Sequence, residues 1–332
     1  MWLITSPLGA YVVQTFLHSL IAILVIERSL QIWQITKPLF QFRYRIMTLL
    51  LPVVMLPVYQ MVSPSRGSFA FREERALMNM HRWLSFEIWE TVSVGTLFLG
   101  FLGITSVIFL VQEIVPVIRD LAARAKEKQP ETLQPDAEIV ALTRDLSSRL
   151  GVEPPPVSVV DDPAPFIFAS GTRQHSIIIS SGLLASFGRE HLESAIAHEL
   201  AHIARRSNAL NWAIFLVRTL MFFNPIVLIV FRRIVQDDEH ICDDITVSLT
   251  GKPQVLAAIL NYFHASYADL QPSVAGGISD FHDGMEHYGQ KLLLKERIRR
   301  LDRLETAVPQ SFEWDKFFLT VSAVAVLNYF VM

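Results

Sequence analysis

The first 26 residues of this 332-residue chain carry no charged side chain, and nothing else in the sequence restricts its fold as much. About 20 apolar helical residues cross the hydrocarbon core of a bilayer, and a run without a basic start does not have the pattern of a signal peptide. Two more uncharged runs follow, Ile46 to Ser65 and Thr91 to Gln112. A last one, Phe317 to Met332, is led in by Trp314 and Lys316 as interfacial anchors. One such run is also what a buried core helix looks like; three within the first 118 residues point to a polytopic α-helical membrane protein. Composition agrees, with 51% hydrophobic and 18% charged residues, against about 25% charged in soluble domains. Pro52 and Pro57 are tolerable within a membrane helix but would kink it.

Between the third and last runs lies a pattern with metal chemistry. His198-Glu199-Leu200-Ala201-His202 reads H-E-x-x-H within a stretch of helical character, Leu192 to Asn208. Residues four apart share a helix face, so both imidazoles can reach one ion. Glu199 is then placed to take a proton from water at the open coordination position of a catalytic zinc. A surface helix with two histidines and a glutamate by chance is the plain alternative, and a third ligand decides between them. Asp237-Asp238-Glu239-His240-Ile241-Cys242-Asp243-Asp244 is the densest cluster of potential ligands. Glu239 and Asp243 are four apart, so Glu239 can bind the metal while Asp243 accepts a hydrogen bond from the outer nitrogen of a ligand histidine. A solvated acidic turn is the ordinary meaning of such a run. Here it sits among Ile234, Val235, Ile241, Ile245 and Val247 and holds the single cysteine, Cys242. One cysteine allows no intrachain disulfide, consistent with a reduced compartment. Cys242 itself reads as packing beside the site, with a soft metal ligand as the alternative.

Together these residues resemble the gluzincin peptidases, specifically the membrane-integral ones. Ala197 to His202, with Ile177-Ile178-Ile179-Ser180-Ser181-Gly182-Leu183-Leu184 before it, is similar to the HtpX and CAAX prenyl protease branch. Asn224-Pro225 followed by Glu239-His240-Ile241-Cys242-Asp243 resembles the BlaR/MecR branch of antibiotic-sensing metallopeptidases, as does Arg297-Ile298-Arg299-Arg300-Leu301. The resemblance covers roughly Ile139 to Leu301. It implies a zincin-like domain holding one Zn2+ per chain, with His198, His202 and Glu239 as ligands, Glu199 as general base and Asp243 behind the ligands. In these families a strand beside the zinc offers an edge on which peptide substrate lies as an added strand. Phe166 to Gly171 is the matching segment, with Ile167, Phe168 and Ala169 as candidate substrate contacts; an ordinary core strand fits it equally. Ser207 departs from the Asp these families often place five residues after the second ligand histidine. A metzincin is excluded, because its motif needs Gly at Arg205 and His at Asn208.

Lys and Arg near the spans set the orientation. Arg28, Lys37, Arg43 and Arg45 follow the first run, Arg66, Arg72, Arg75 and Arg82 the second, and Arg119, Arg124, Lys126 and Lys128 the third. An N-terminus outside puts eight of these twelve in the cytoplasm, and the reverse puts four there. The apolar stretch Ala209 to Phe231 then poses a problem, since a single crossing would separate His202 from Glu239. Asn224-Pro225 resolves it by breaking the helix, giving two short helices in a re-entrant or surface-lying hairpin. Arg218, midway along, fits a partly protein-buried place. A soluble core helix pair is the other reading.

The expected organisation is three transmembrane helices in residues 1–118 with an outside loop at about 63–90, a linker at 119–136, a cytoplasmic zinc metallopeptidase domain at 137–312 containing the hairpin 209–231, and a C-terminal transmembrane helix at 313–332. The fold class is mainly α with a small β-sheet. Helices are expected over Glu138–Leu150, Val255–Tyr267 and Lys291–Glu305, and strands at Val157–Val160 and on both sides of a hairpin turn at Thr172–His175. Basic residues of the Lys291–Glu305 helix are expected to face phosphate head groups or solvent. His282 and His287, in a Gly- and Pro-containing loop, read as solvated, with a role at the site as the alternative.

The leading reading is a membrane-bound zinc endopeptidase acting on protein or peptide substrates at the cytoplasmic face of a bacterial inner membrane. The alternative is a BlaR/MecR-like receptor whose protease domain cleaves a transcriptional repressor. The sequence shows no sensor domain before Met332, so that reading would need sensing through the 63–90 loop, the spans or a membrane-protein partner. A zinc scaffold that no longer cuts is a third, opposed by the intact Glu199. No phosphate loop or nucleic-acid module is present, so lipid and protein, and no nucleic acid, are the expected partners.

Overall fold

A computed structural model describes residues 7–77, 80–89, 92–115, 118, 132–171, 175–205, 207–269, 294–302 and 310–331. In chain order the longer helices are α1 (Pro7–Ile32), α2 (Pro38–Val62), α3 (Val94–Phe109), α4 (Ala137–Leu150), α5 (Arg189–Ala204), α6 (Ser207–Leu220), α7 (Pro225–Thr250), α8 (Pro253–Asp269), α9 (294–301) and α10 (Trp314–Tyr329). The strands are β1 (Glu87–Trp89), β2 (Val92–Ser93), β3 (Thr132–Leu133), β4 (Val157–Val160), β5 (Ile167–Ser170) and β6 (Ser176–Ser180). The chain is mainly helical with small sheets. It divides into two units, Met1–Ile114 with Ile214–Asp237 and Gln310–Met332, and Val115–Ala213 with Asp238–Pro309.

In the first unit, α1 and α2 take the first two uncharged runs and are each long and apolar enough to cross a membrane. Pro38 opens α2 at the position where its missing N–H costs nothing. The connection is only residues 33–37, shorter than the charges at 28–45 suggest, so Arg43 and Arg45 lie inside α2. Ala22, Ile26 and Leu30 of α1 pack with Tyr44 and Leu51 of α2 and Val324 of α10. In α3, Leu97, Phe101, Ile104 and Ile108 form an apolar stripe, each 46–63% exposed. Water would penalise such a stripe, and lipid would not.

The apolar stretch 209–231 breaks at Asn224. Its side chain accepts from the Ile226 N–H at 3.1 Å and donates to Ser19 Oγ at 3.0 Å, so the turn is a fully buried, hydrogen-bonded feature. The second helix is not short, however. Neither Gly nor Pro occurs between Ile226 and Thr250, so α7 continues through the acidic run to Gly251, whose φ of +69° ends it. Arg218 is buried, with its guanidinium 4.3 Å from the Phe231 ring and 5.5 Å from Phe109. A charged network closes one part of this unit. Arg45 grips both oxygens of Asp237 at 2.6 and 2.7 Å and reaches Glu27 at 3.0 Å, while Arg233 pairs with Glu27 at 2.7 Å.

In the second unit the sheet order is β3-β4-β6-β5, with β4 and β6 parallel and the other pairs antiparallel. Thus β5 is an edge strand. Ile196, Ala197 and Leu200 of α5 pack on Ile177 and Ile179 of β6 and Leu146 of α4. Asp136 caps α4 by accepting from the Glu138 N–H, and Gly151 ends it at φ +69°. The Ser180-Ser181-Gly182 stretch has a mechanical reason. Buried Ser180 Oγ accepts from the Leu183 N–H at 3.1 Å, capping the short helix Ser181–Ser186, and from the Phe166 N–H at 2.9 Å at the head of β5. A Cβ at Gly182 would lie 2.1 Å from the Pro163 carbonyl oxygen. Gly182→Ala is therefore expected to cost about 1–3 kcal/mol of stability, read as a lowered Tm in detergent. An unchanged Tm would show that the Pro163 loop yields freely.

Residues 172–174 of the expected turn Thr172–His175, most of the 119–136 linker, and His282 and His287 lie outside the described residues.

Candidate metal centre

Two helices bring the three expected ligands together. His198 and His202 project from one face of α5, opposite its buried Ile196, Leu200 and Ile203, and Glu239 comes from α7. His198 Nε2 lies 3.3 Å from His202 Nε2 and 3.5 Å from Glu239 Oε2, and His202 Nε2 lies 3.6 Å from Glu239 Oε1. A tetrahedral zinc with bonds of about 2.0–2.1 Å needs ligand atoms roughly 3.3 Å apart. Two neutral nitrogens and one carboxylate oxygen are a donor set that suits zinc. Charge agrees too: Glu199, Glu239 and Asp243 against one guanidinium, Arg297, leave two negative charges for a divalent cation to neutralise. The residues present therefore fit the ion.

Because the two Nε2 atoms face each other, both Nδ1 atoms turn outward. His198 Nδ1 is buried, has no hydrogen bond, and lies 3.5 Å from Asp243 Oδ1, the carboxylate expected behind the ligands. His202 Nδ1 is 3.4 Å from the Sγ of fully buried Cys242. Burial pushes the Cys242 thiol well above its ordinary pKa, so Sγ is a neutral, weak acceptor for Nδ1–H. His202, Asp238 and Cys242 also lie close enough to hold a metal between them, but Asp238 is engaged by Arg205 at the end of α5. Cys242→Ala is expected to weaken zinc binding by about 10-fold, the low end for loss of a ligand's supporting partner, with Cys242→Ser restoring most of it. Competition with a chromophoric chelator measures this; equal affinity in all three forms would reduce Cys242 to packing.

The acidic run is divided among different partners. Asp237 goes to Arg45, Asp238 to Arg205, Asp244 to Arg300, and only Glu239 faces the ligand histidines. Arg297 corrects the expectation that the basic residues of α9 face head groups or solvent. It is 2% exposed and reaches Glu239 Oε2 at 2.6 Å, both Asp243 oxygens at 2.7 and 2.9 Å, and His198 Nε2 at 3.3 Å. The signal was its spacing, since Leu294, Arg297, Ile298 and Leu301 form one i, i+3, i+4, i+7 face whose leucines are buried. Burial by itself would raise the Glu239 carboxyl, but Arg297, followed by the two imidazoles, outweighs it and holds Glu239 well below the usual carboxylate range.

Glu199 stands on the cleft side of α5, and one of its carboxylate oxygens accepts from the Ala169 N–H at 2.8 Å. Ile167 lines the same cleft, and Phe168 is half-buried against Phe166. Of the three candidate substrate contacts, Ile167 and Ala169 therefore border the site, while Phe168 alternates to the other side of the strand. The cleft, a cavity of about 80 Å³ that opens to solvent, is lined in part by His198, Glu199, His202 and Arg297.

Comparison with known proteins follows the same lines. A family model described as BlaR1 peptidase M56 matches residues 75–300. Among curated relatives, the protease HtpX homolog of Thermoplasma volcanium is 28% identical over 142 residues, 42% of this chain and 45% of that protein. The homolog of Thermococcus kodakarensis is 38% identical over 71 residues, 21% and 24% of the two chains. That of Acidiphilium cryptum is 39% identical over 80 residues, 24% and 28%. The chain spans under half the length of these relatives. The family match, however, runs over well more than half of the chain, through both ligand helices and Arg297, and on that ground the chain belongs to the BlaR1 peptidase family M56, the HtpX- and BlaR-like membrane metallopeptidases.

Proposed function

We propose that this chain is a zinc-dependent endopeptidase of the inner membrane that cuts protein substrates at the cytoplasmic face. The observation that carries the reading is the convergence of His198, His202 and Glu239 at tetrahedral spacing in a cleft bordered by Glu199 and an edge strand. Bound there, zinc would polarise the scissile carbonyl and acidify a water. The residues do the rest. The Ala169 N–H holds the Glu199 carboxylate at the cleft, where Glu199 would take the proton of the attacking water and hand it to the departing amine. Among the described residues β5 is the edge strand beside the cleft, and an extended peptide would lie along it as an added strand. Arg297 holds the Glu239 and Asp243 carboxylates in place.

The address is proposed on three grounds. The helices α1 and α2 are long enough to span, α3 carries an apolar stripe, and the network of Glu27, Arg45, Arg233 and Asp237 marks an end of these helices where hydrocarbon gives way to water. With α3 and α10 as further spans the N-terminus lies outside. A second reading, a receptor whose protease domain cleaves a repressor, draws on the BlaR1 description of the family.

The test is cleavage of a membrane-associated protein by the purified chain in detergent, before and after removal of metal. One zinc per chain, loss of cleavage on chelation and recovery with Zn2+ are expected. Undiminished cleavage by the chelated protein, or by a His198→Ala form, would refute the reading.

A further inference from the structure

Two candidate metal sets share one residue. His198, His202 and Glu239 form the first, and His202, Asp238 and Cys242 the second, whose donor atoms also lie within 4.8 Å of one another. His202 belongs to both because its ring nitrogens face different groups. Nε2 looks to His198 and Glu239, and Nδ1 stands 3.4 Å from Cys242 Sγ. A neutral imidazole has one lone pair to offer a metal. His202 can therefore serve one set or the other, and its surroundings decide which.

The second set is close to complete. Nitrogen and sulfur donors of a tetrahedral zinc stand roughly 3.5 Å apart, given bonds of about 2.0 and 2.3 Å, and the distance from Nδ1 to Sγ already meets this. Cys242 and Asp238 are both buried, so solvent does not compete for the place between them. Thiolate, imidazole and carboxylate together suit zinc and favour softer ions as well.

What opposes this set is Arg205. It caps α5 three residues after His202, a spacing that brings it back to the same side of the helix, and its Nη2 donates to Asp238 Oδ1. The guanidinium is 14% exposed and the carboxylate 6%, so the pair is largely withdrawn from water. Arg205 acts in two ways. It occupies Asp238 with a charge-assisted hydrogen bond, and it sets a positive charge next to a carboxylate that a second cation would need. Without it, Asp238 would be a buried carboxylate lacking its cation. A metal ion held by the neighbouring imidazole and thiol would then take the place of the guanidinium.

We propose that Arg205 is a guard residue of the metal centre: by holding Asp238 it keeps the His202, Asp238 and Cys242 set closed, so that His202 presents Nε2 to the catalytic ion. This rests on the zinc reading above and deepens it. Arg205 is a positioning residue, acting through Asp238. An ion captured by the second set would release the thiol proton to solvent and turn the lone pair of His202 to Nδ1. The first set would keep only His198 and Glu239, fewer than the three protein ligands of a catalytic zinc.

Cobalt reads the outcome directly, because thiolate bound to Co2+ gives a near-ultraviolet charge-transfer band and Cys242 is the only cysteine of the chain. The purified full chain in detergent, stripped of metal and kept reduced, is titrated with Co2+. The wild type is expected to bind the ion without that band. Arg205→Ala is expected to show the band, and to lose about 10-fold or more of its zinc-supported cleavage at equal metal. Arg205→Met keeps the aliphatic stem and its packing, and serves where Arg205→Ala lowers the yield of folded protein. Arg205→Lys, which keeps the charge, is expected to behave as the wild type does. A purely structural role would lower Tm and activity in the neutral variants with no sulfur band. That result, or a band already present in the wild type, would overturn the assignment while leaving a metal-binding chain. A wild type that binds no Co2+ would instead remove the zinc reading and this inference with it.

Discussion

Glu199→Gln is expected to lower kcat by about 10²–10⁴-fold, the usual contribution of a positioned general base, with zinc content unchanged. The substitution keeps shape and size. The amide oxygen of Gln can still accept from the Ala169 N–H, which Glu199 binds at 2.8 Å, so β5 has no reason to move. None of the three metal donors is touched. What disappears is the carboxylate proposed to act as the base. The measurement is cleavage rate beside metal analysis on the same preparation. Wild-type turnover in the Gln form would mean that another group takes the proton. Loss of zinc along with activity would mean that Glu199 is a ligand or a folding element. A bound but uncut substrate in this form is also the direct route to the physiological target, by cross-linking and mass identification.

Arg297→Gln is expected to be the most damaging single change away from the ligands, costing about 3–5 kcal/mol because it strands buried carboxylates without their cation. Glu239 and Asp243 are 6% and 0% exposed, so solvent does little to screen what remains. The loss has a pH signature. Glu239 in the folded chain lies below its ordinary value of 4.5. Its contribution to stability is therefore complete above that ordinary value and is lost only as pH falls through the lower, folded one. Without Arg297 the dominant remaining influence on Glu239 in the metal-free protein is burial, which acts in the opposite direction. The acid unfolding midpoint of the metal-free variant should therefore move upward relative to wild type, measured by Tm across pH 3–8, a range of roughly a few units about the carboxylate value. Coincident profiles would show that Arg297 does not govern Glu239.

The grouping of His198, His202 and Glu239 was legible because its geometry is local. A spacing of four on a helix fixes a face, which is why His198 with His202 and Glu239 with Asp243 stand out from the sequence. The break at Asn224-Pro225 was legible for a similar reason, since proline cannot continue the preceding helix and the asparagine side-chain oxygen accepts from the Ile226 N–H that opens the next. What lay beyond reach was pairing across long separations. Arg297 meets Asp243 across 54 residues, and Arg45 meets Asp237 across 192; charge in a sequence does not say which opposite charge it will find. Arg297 was thus assigned to solvent or head groups although it lies on the apolar face of its own helix. The length of α7 was missed because the change from apolar to acidic composition looked like a boundary. A helix is ended by Gly and Pro, and neither occurs until Gly251.

The acidic run on α7 behaves as a fan. Successive residues of an α-helix point about 100° apart, so Asp237, Asp238 and Glu239 face three directions and serve Arg45, Arg205 and the ligand histidines in turn. Their chemistry is nearly interchangeable, but their bearings are not. A single residue inserted or lost just before the run would hand each carboxylate its neighbour's task, and composition would hardly register the change. Phase along the helix, rather than the number of acids, is the quantity that turns Glu239 to the two histidines.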